Sequence, residues 1–253
     1  MAENAPATPD KPARTLTGRV PAERVVMLEL PRLDPGIVAA YRALVDLTGT
    51  VSDAMDALGL VGAVPASQLQ PILAGKRVAG QAVTVRNVER KLQVHRAATE
   101  KVNLMGEAEA HNLVEPGDIV VIEGLLGCSN LGGQSATIAH RQGAAAVVVD
   151  GSIRDPDASR ELGFPVWCRG VTPITGKWRL QTVEINGPVA ICGVQVCAGD
   201  LVCADDAGVC VVPFAQAQAV LEQAQAIDAG DSRRKDDIAA GADVAALLTR
   251  KYK

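Results

Sequence analysis

Between Val147 and Asp157 the chain reads VVVDGSIRDPD: an apolar run ends in Asp150, and an Arg–Asp pair, Arg154 and Asp155, stands before Pro156. A guanidinium is a permanently charged planar fork that matches a carboxylate, and an aspartate oxygen is a hard donor for a cation such as Mg2+. In layered α/β proteins ligands collect at the C-terminal ends of strands, where AAAVVVD would deliver Asp150, Arg154 and Asp155. A second reading stays open. Aspartate before proline before PDASREL also begins a helix, with Asp155 as its cap, Pro156 at the first position and Arg154 on the surface.

Upstream, NLGGQSATIAHRQG places Gly132 and Gly133 before a short helix opened by Gln134 and Ser135. Adjacent glycines admit a ligand close to the backbone, and the free amides of a helix start attract a carboxylate or phosphate. Alternatively the glycines only make a tight turn. The loop has neither the GK[ST] of a phosphate-binding loop nor a G-x-G-x-x-G spacing. Glu123, ending IVVIE, either lines the same strand edge or is a solvated strand end. A Schiff-base mechanism would need a buried lysine, and Lys101 and Lys177 both read as solvated. His95, His111 and His140 lack metal-ligand spacing; His140 reads as a packed or surface histidine and His111 as lying near a helix end.

The elements that must position these residues follow from pattern. RLDPGIVAAYRALVDL is a helix capped by Asp34, TGTVSDAMDALGL a second one stopped by Gly59, and KRVAGQAVTVRNV a strand. RAATEKVNLMGEAEAHNL reads as one helix, EPGDIVVIEG as a turn and buried strand, and FPVWCRG as another strand. From Val183 to Pro213 short strands alternate with Gly, Pro and Asp turns, and a helical region follows Phe214. PGDIVVIEG and AGDLVCADDAG repeat a Gly-Asp turn. The order predicts one layered α/β domain over residues 25–253, β-rich in its C-terminal half and ending in a helical tail. Residues 1–24 are expected as a flexible arm.

Composition narrows the function. Aromatic residues make up 2% of the chain, two each of Phe, Trp and Tyr, and the net charge is −4. Little is left to stack on bases or to neutralise a phosphate backbone, so a nucleic-acid binder is not expected. Cys128, Cys168, Cys192, Cys197, Cys203 and Cys210 form no C-x-x-C pair and read as free, mostly buried thiols of a reducing cytoplasm. No apolar run is long enough to suggest a membrane span. The N-terminus has no hydrophobic signal core, and Glu3 and Asp10 argue against a transit peptide.

Taken together, GLLGCSNLGGQSATIAHRQGAAAVVVDGSIRDPDASRELGFPVWCRGVTP and GPVAICGVQVCAGDLVCADDAGVCVVP resemble the class II pyruvate aldolases, a superfamily that includes the regulators of ribonuclease activity. VSDAMDALG is similar to the family's opening helix. The resemblance spans roughly Val51 to Pro213 and implies a swivelling β/β/α fold, a homotrimer or homohexamer, and a divalent metal, Mg2+ or Mn2+. It implies retro-aldol cleavage of a 4-hydroxy-2-oxo diacid to pyruvate, with oxaloacetate decarboxylation alongside. By the same resemblance Arg154 holds substrate, Asp155 binds the metal, and Gly132, Gly133, Gln134 and Ser135 cradle the pyruvyl group. The family pattern is an Asp, twenty residues, then Arg-Asp; Gly133 stands here where that Asp would be. The family also donates a Glu from a neighbouring subunit, for which Asp231 is the nearest match. Loss of the first acid keeps two alternatives open: a non-catalytic protein-binding regulator, or an enzyme of the same superfamily acting on another 2-keto acid.

Overall fold

The runs IVVI and AVVV are apolar at every position, which suits strands covered on both faces. In the computed structural model, which describes residues 15–91 and 93–252, both lie at the centre of a mixed sheet. The chain begins with helices α1 (Pro35–Ala43) and α2 (Leu47–Ala57), then strands β1 (Ala63–Pro65), β2 (Gln70–Pro71) and β3 (Val78–Glu89). Next come α3 (Val94–Thr99), α4 (Glu107–Leu113), β4 (Ile119–Glu123), β5 (Ser129–Leu131), α5 (Gly133–Arg141) and β6 (Ala146–Ile153). After α6 (Pro156–Leu162) and β7 (Val166–Val171) the chain is mostly strand: β8 (Leu180–Ile185), β9 (Val189–Ile191), β10 (Val194–Val196), β11 (Leu201–Asp205) and β12 (Gly208–Val212). Helices α7 (Ala217–Ala239) and α8 (Val244–Thr249) close it.

The sheet runs β1-β12-β11-β3-β4-β6-β7-β2, with β5 beside β6 and β8 beside β3; β9 and β10 form a separate hairpin. Strands β3, β4, β6 and β7 are parallel neighbours. The period of two divides their side chains. Val120, Ile122, Val147 and Val149 pack under Ala110 and Leu113 of α4 and Ala136 and Ala139 of α5. Their neighbours Ile119, Val121, Ala146 and Val148 pack against Val189, Ile191 and Val196 of the hairpin. The result is the expected β/β/α layering in one α/β domain. Each fully buried Val or Leu contributes roughly 1.5–3 kcal/mol, so this aliphatic core needs few aromatics. A third cluster joins α1, α2 and α7 to β11 and β12 through Tyr41, Leu47, Met55, Leu201, Val212 and Ile227.

Several predicted devices appear where expected. Asp34 accepts from the Gly36 amide at 2.7 Å and caps α1. The two Gly-Asp turns share their chemistry: Gly117 and Gly199 have φ of +96° and +94°, and Asp118 and Asp200 each accept a backbone amide three residues back at 2.8 Å. The start of α2 depends on a distant residue. Asp205, at the end of β11, accepts from the Thr48 amide at 3.0 Å and from its hydroxyl at 2.6 Å.

Two expectations are corrected. The helix read from Arg96 to Leu113 is two helices, α3 and α4. Lys101 turns left-handed at φ +54°, Leu104 bridges to Gln181, and at Gly106 a Cβ would collide with Val20. Residues 15–24, expected as part of a flexible arm, do not form one. The first fourteen residues lie outside the described ones, but from Thr15 the chain is strapped onto α4. Buried Glu109 accepts from the Thr17 amide at 2.9 Å, the Thr17 hydroxyl at 2.5 Å and the Arg19 amide at 3.1 Å. Val20 is 3% exposed beneath the strap. Among the described residues no helix is long and apolar enough to cross a membrane.

Candidate active site

The ends of β5 and β6 build one wall of a cleft. Strand β6 shifts register against β7 between Val149 and Ser152, a bulge of the kind that re-aims side chains at a sheet edge. Fully buried Asn130 fastens the loop before β5: its Nδ2 donates to the Leu125 carbonyl at 2.8 Å and to the Cys128 and Ser152 carbonyls at 3.2 Å. Beyond the bulge the Arg154 amide donates to the Leu131 carbonyl at 2.8 Å, which sets the Arg–Asp pair over the start of α5.

Asp155 occupies the N-cap position of α6 that its place before proline predicts, but its side chain does not cap the helix. It has φ +57° and ψ +52°. Aspartate is one of the few residues that visit this left-handed region readily. The turn aims the carboxylate at α5 instead, where Oδ2 accepts from the Gly133 amide and from Arg154 Nε, both at 3.2 Å. Arg154 and Asp155 side chains are 33% and 48% exposed, so both still face solvent in the cleft. A Cβ at Gly133 would stand 2.9 Å from Ala158 Cβ and 3.2 Å from Asp155 Cβ. An acid there would need α6 to move.

The cleft holds about 450 Å3 and is lined on this side by Gly132, Gly133, Gln134, Ser135, Arg154 and Asp155. All six were expected together from the sequence. Helix α5 has Gly132 as its N-cap, with no side chain there to cap it; Asp155 takes the Gly133 amide, and the amides of Gln134 and Ser135 are left for other acceptors. Thr175, Gly176 and Lys177 line another side. Lys177 is exposed, unlike the buried amine a Schiff-base mechanism would need.

Other candidates fall elsewhere. Glu123 accepts from the Ala190 amide at 2.8 Å, and Asp150 from the Cys192 amide at 2.6 Å and Arg169 at 3.1 Å. Both carboxylates tether the β9–β10 hairpin rather than line the cleft. Asp231 lies on α7 in a separate cavity with Asp46, Asp228 and Arg234, so within one chain it does not reach Arg154. His140 is an exposed histidine whose ring lies tilted against Phe164, centroids 5.3 Å apart.

The sequence reading missed three residues. Arg19 enters the cleft from the strap, held by bonds to the Met105 carbonyl at 2.8 Å and the Asn103 carbonyl at 3.1 Å. Glu107, at the start of α4, lines the cleft; burial raises its pKa, against the pull of its backbone and of Arg19, Ser135 and Lys177. His111 is fully buried, with Nε2 2.8 Å from the Ser135 hydroxyl and Nδ1 without a partner. Burial brings its pKa down to about 4, so the ring is neutral. The four-residue spacing of Glu107 and His111, which puts both on one helix face, was the signal available.

Among the described residues no cluster of three or more His, Cys, Asp or Glu side chains could hold a metal by itself. One carboxylate is nevertheless compatible with Mg2+, which keeps several waters and takes other oxygens from its substrate. Asp155, turned away from its helix and partly exposed, supplies such an oxygen.

A family model described as RraA-like, Aldolase/RraA, matches residues 48–211. A protein of Halalkalibacterium halodurans named "Putative 4-hydroxy-4-methyl-2-oxoglutarate aldolase" is 34% identical over 191 residues, 74% of this chain and 82% of that one. Protein DlpA of Legionella pneumophila is 30% identical over 194 residues, 76% of this chain but 30% of its own length, so this chain spans under a third of that relative. Among solved structures, Streptomyces coelicolor RraAS2, described as an unusual member of the RNase ES inhibitor RraA protein family, superposes with a TM-score of 0.66 at 29% identity over 84% of this chain and 99% of that one. An uncharacterized Pseudomonas syringae protein shares the fold with a TM-score of 0.73 at 24% identity, over 87% of this chain and 100% of that one. The family model spans more than half of the chain, and the chain belongs to the RraA-like family.

Proposed function

We propose that this chain is a divalent-metal-assisted lyase that cleaves a 4-hydroxy-2-oxo diacid to pyruvate and also decarboxylates oxaloacetate. The observation that carries the reading is the left-handed turn at Asp155, which brings its carboxylate and the Arg154 guanidinium into one cleft with the start of α5. The amides of Gln134 and Ser135 receive the 2-oxo carboxylate, and Arg154 sets positive charge beside the oxygen on which negative charge develops as C3–C4 breaks. The C4 hydroxyl loses its proton and becomes a carbonyl; C3 gains a proton to give pyruvate. Asp155 is the residue to hold Mg2+ or Mn2+, which when bound supplies Lewis-acid polarisation of the 2-oxo group. We further infer a homotrimer or homohexamer, in which Asp231 of one protomer approaches the cleft of the next. A reducing cytoplasm suits its six free cysteines.

The test is pyruvate release. Metal-stripped protein is offered oxaloacetate, 4-hydroxy-4-methyl-2-oxoglutarate and 4-carboxy-4-hydroxy-2-oxoadipate with and without Mg2+ or Mn2+. Metal-dependent turnover supports the lyase, and no turnover of any of the three by folded, metal-loaded protein sinks it. A second reading, a protein-binding regulator of an endoribonuclease, is favoured by the absence of an acid at Gly133 and by the likeness to RraAS2. Inhibition of such a nuclease by protein that turns over no 2-oxo acid is the outcome that would establish it. The same superfamily site reused on an unrelated 2-keto acid is a third, covered by widening the substrate panel.

A further inference from the structure

We propose that Glu107 is the general base of this cleft, taking the C4 hydroxyl proton as C3–C4 breaks and passing it to solvent, while the pyruvate enolate common to both reactions takes its C3 proton from solvent water. This rests on the retro-aldol reading and names the group that replaces the acid missing at Gly133. Three observations support it. Glu107 lines the same cleft as Arg154 and Asp155. Position 133 has no room for an acid on this backbone, since Ala158 and Asp155 fill the space a side chain would enter. Ser135, two residues on from Gly133, lines the same cleft, and its hydroxyl favours the ionised form of Glu107.

The hydrogen-bond chain behind it has a defined direction. His111 is neutral and one ring nitrogen carries the proton. An N–H at the partnerless Nδ1 would be an orphaned buried donor, the costlier kind of unsatisfied group. The proton therefore sits on Nε2 and is donated to Ser135 Oγ at 2.8 Å. The serine hydroxyl is then free to donate to Glu107. The His111 ring and the Ser135 hydroxyl act by positioning: they hold the Glu107 carboxylate and do not touch substrate, which meets only the Ser135 backbone amide.

Charges around Glu107 set its working range. Arg19 and Lys177 favour its ionised form, while burial, the larger effect, opposes it. Arg154 and Asp155 face the same cavity and largely offset each other at 3.2 Å. A carboxylate with a raised pKa is a better base than an ordinary one.

The two reactions of the site separate this role from a merely structural one. Retro-aldol cleavage needs a base for the C4 hydroxyl; decarboxylation of oxaloacetate does not, because carbon dioxide leaves with no proton to remove. In Glu107→Gln, metal-loaded, retro-aldol turnover is expected to fall by roughly 10²–10⁴-fold, while oxaloacetate decarboxylation, corrected for the background of the metal alone, stays within about threefold. The acid limb of the wild-type retro-aldol pH profile disappears in Glu107→Gln, and Glu107→Asp restores part of the rate. Equal loss of both reactions in a folded variant, or retention of both, overturns the assignment while leaving the lyase intact. A wild-type protein inert toward every 2-oxo acid overturns the lyase reading itself, and this assignment with it.

Discussion

The Gly133 amide donates to the Asp155 carboxylate at 3.2 Å, and the volume that a side chain at 133 would occupy is filled by Ala158 of α6. The glycine loop and the Arg–Asp pair are thus packed against each other. Replacing glycine by alanine at an unstrained helical position stabilises by about 0.4–1 kcal/mol. At position 133 the sign should reverse. We expect Gly133→Ala to destabilise by about 1–3 kcal/mol through overpacking, read as a lower denaturant midpoint at unchanged slope, and Ala158→Gly in the same chain to recover part of the loss. A stabilised Gly133→Ala would show that α6 yields freely.

Asp155 separates conformation from charge. Asparagine tolerates the left-handed region almost as well as aspartate, whereas alanine there is strained by roughly 1–2 kcal/mol. Asp155→Asn should keep the melting temperature and Asp155→Ala should lower it. Both should lose Mg2+ and Mn2+ affinity in calorimetric titrations with pyruvate present. Undiminished metal binding by the asparagine variant would remove Asp155 from the metal site.

Arg154 is expected to act through its fork as well as its charge. Arg154→Ala should lower pyruvate release from oxaloacetate by roughly 10²–10³-fold, the scale for losing one preorganised donor to a developing oxyanion. Arg154→Lys, which keeps a point charge but loses the planar pair of donors, should fall between the two. Steady-state rates at saturating metal decide it.

His111 links stability to pH. Its pKa is about 4 in the folded protein against 6.5 ordinarily, so the unfolded chain binds the proton more readily. Stability is full above pH 6.5, declines as pH falls from 6.5 toward 4, and levels off below. The whole span is about 3 kcal/mol. In His111→Gln this portion of the slope should be gone, measured as the wild-type-minus-variant unfolding free energy across that window.

Glu109 should govern the N-terminal strap. Burial pushes its pKa up, but the bonds from Thr17, Arg19 and Asn112 outweigh it and leave the value lowered. Their stabilisation is present above the ordinary glutamate pKa and is lost as pH falls through the lower folded value. At neutral pH, Glu109→Gln should weaken the strap by about 1.5–3 kcal/mol, the range for bonds to a charged group, and trypsin should cut sooner after Arg19 and Arg24. Unchanged cutting would mean that Val20, not the carboxylate, holds the segment.

What could be read from the chain and what could not divide along physical lines. Strands β4 and β6 were legible because four consecutive buried apolar residues have few other uses, and α1 because Asp34, Pro35 and the helical spacing agree. The six residues of one cleft wall were legible because they lie on adjacent stretches of chain joined by one parallel crossover. The break before α4 was not, because a left-handed lysine and a strand-like bridge at Leu104 leave no local mark. Arg19 and Glu107 were missed for a related reason: each reaches the cleft through contacts made far away in sequence. At Asp155 the cap motif misled, since the motif specifies where a helix starts and not which way the aspartate side chain turns.

The bond between Thr48 and Asp205 joins residues separated by 157 positions. During synthesis at roughly 5–20 residues per second, α2 is made on the order of ten to thirty seconds before the carboxylate that anchors its first turn exists. For that interval Leu47, Val51 and Met55, each no more than 2% exposed in the finished protein, have neither β11 nor β12 nor α7 to cover them. The N-terminal helices of this chain therefore wait on its last third, and the nascent protein is most open to aggregation, and most in need of a chaperone, before Asp205 has been added.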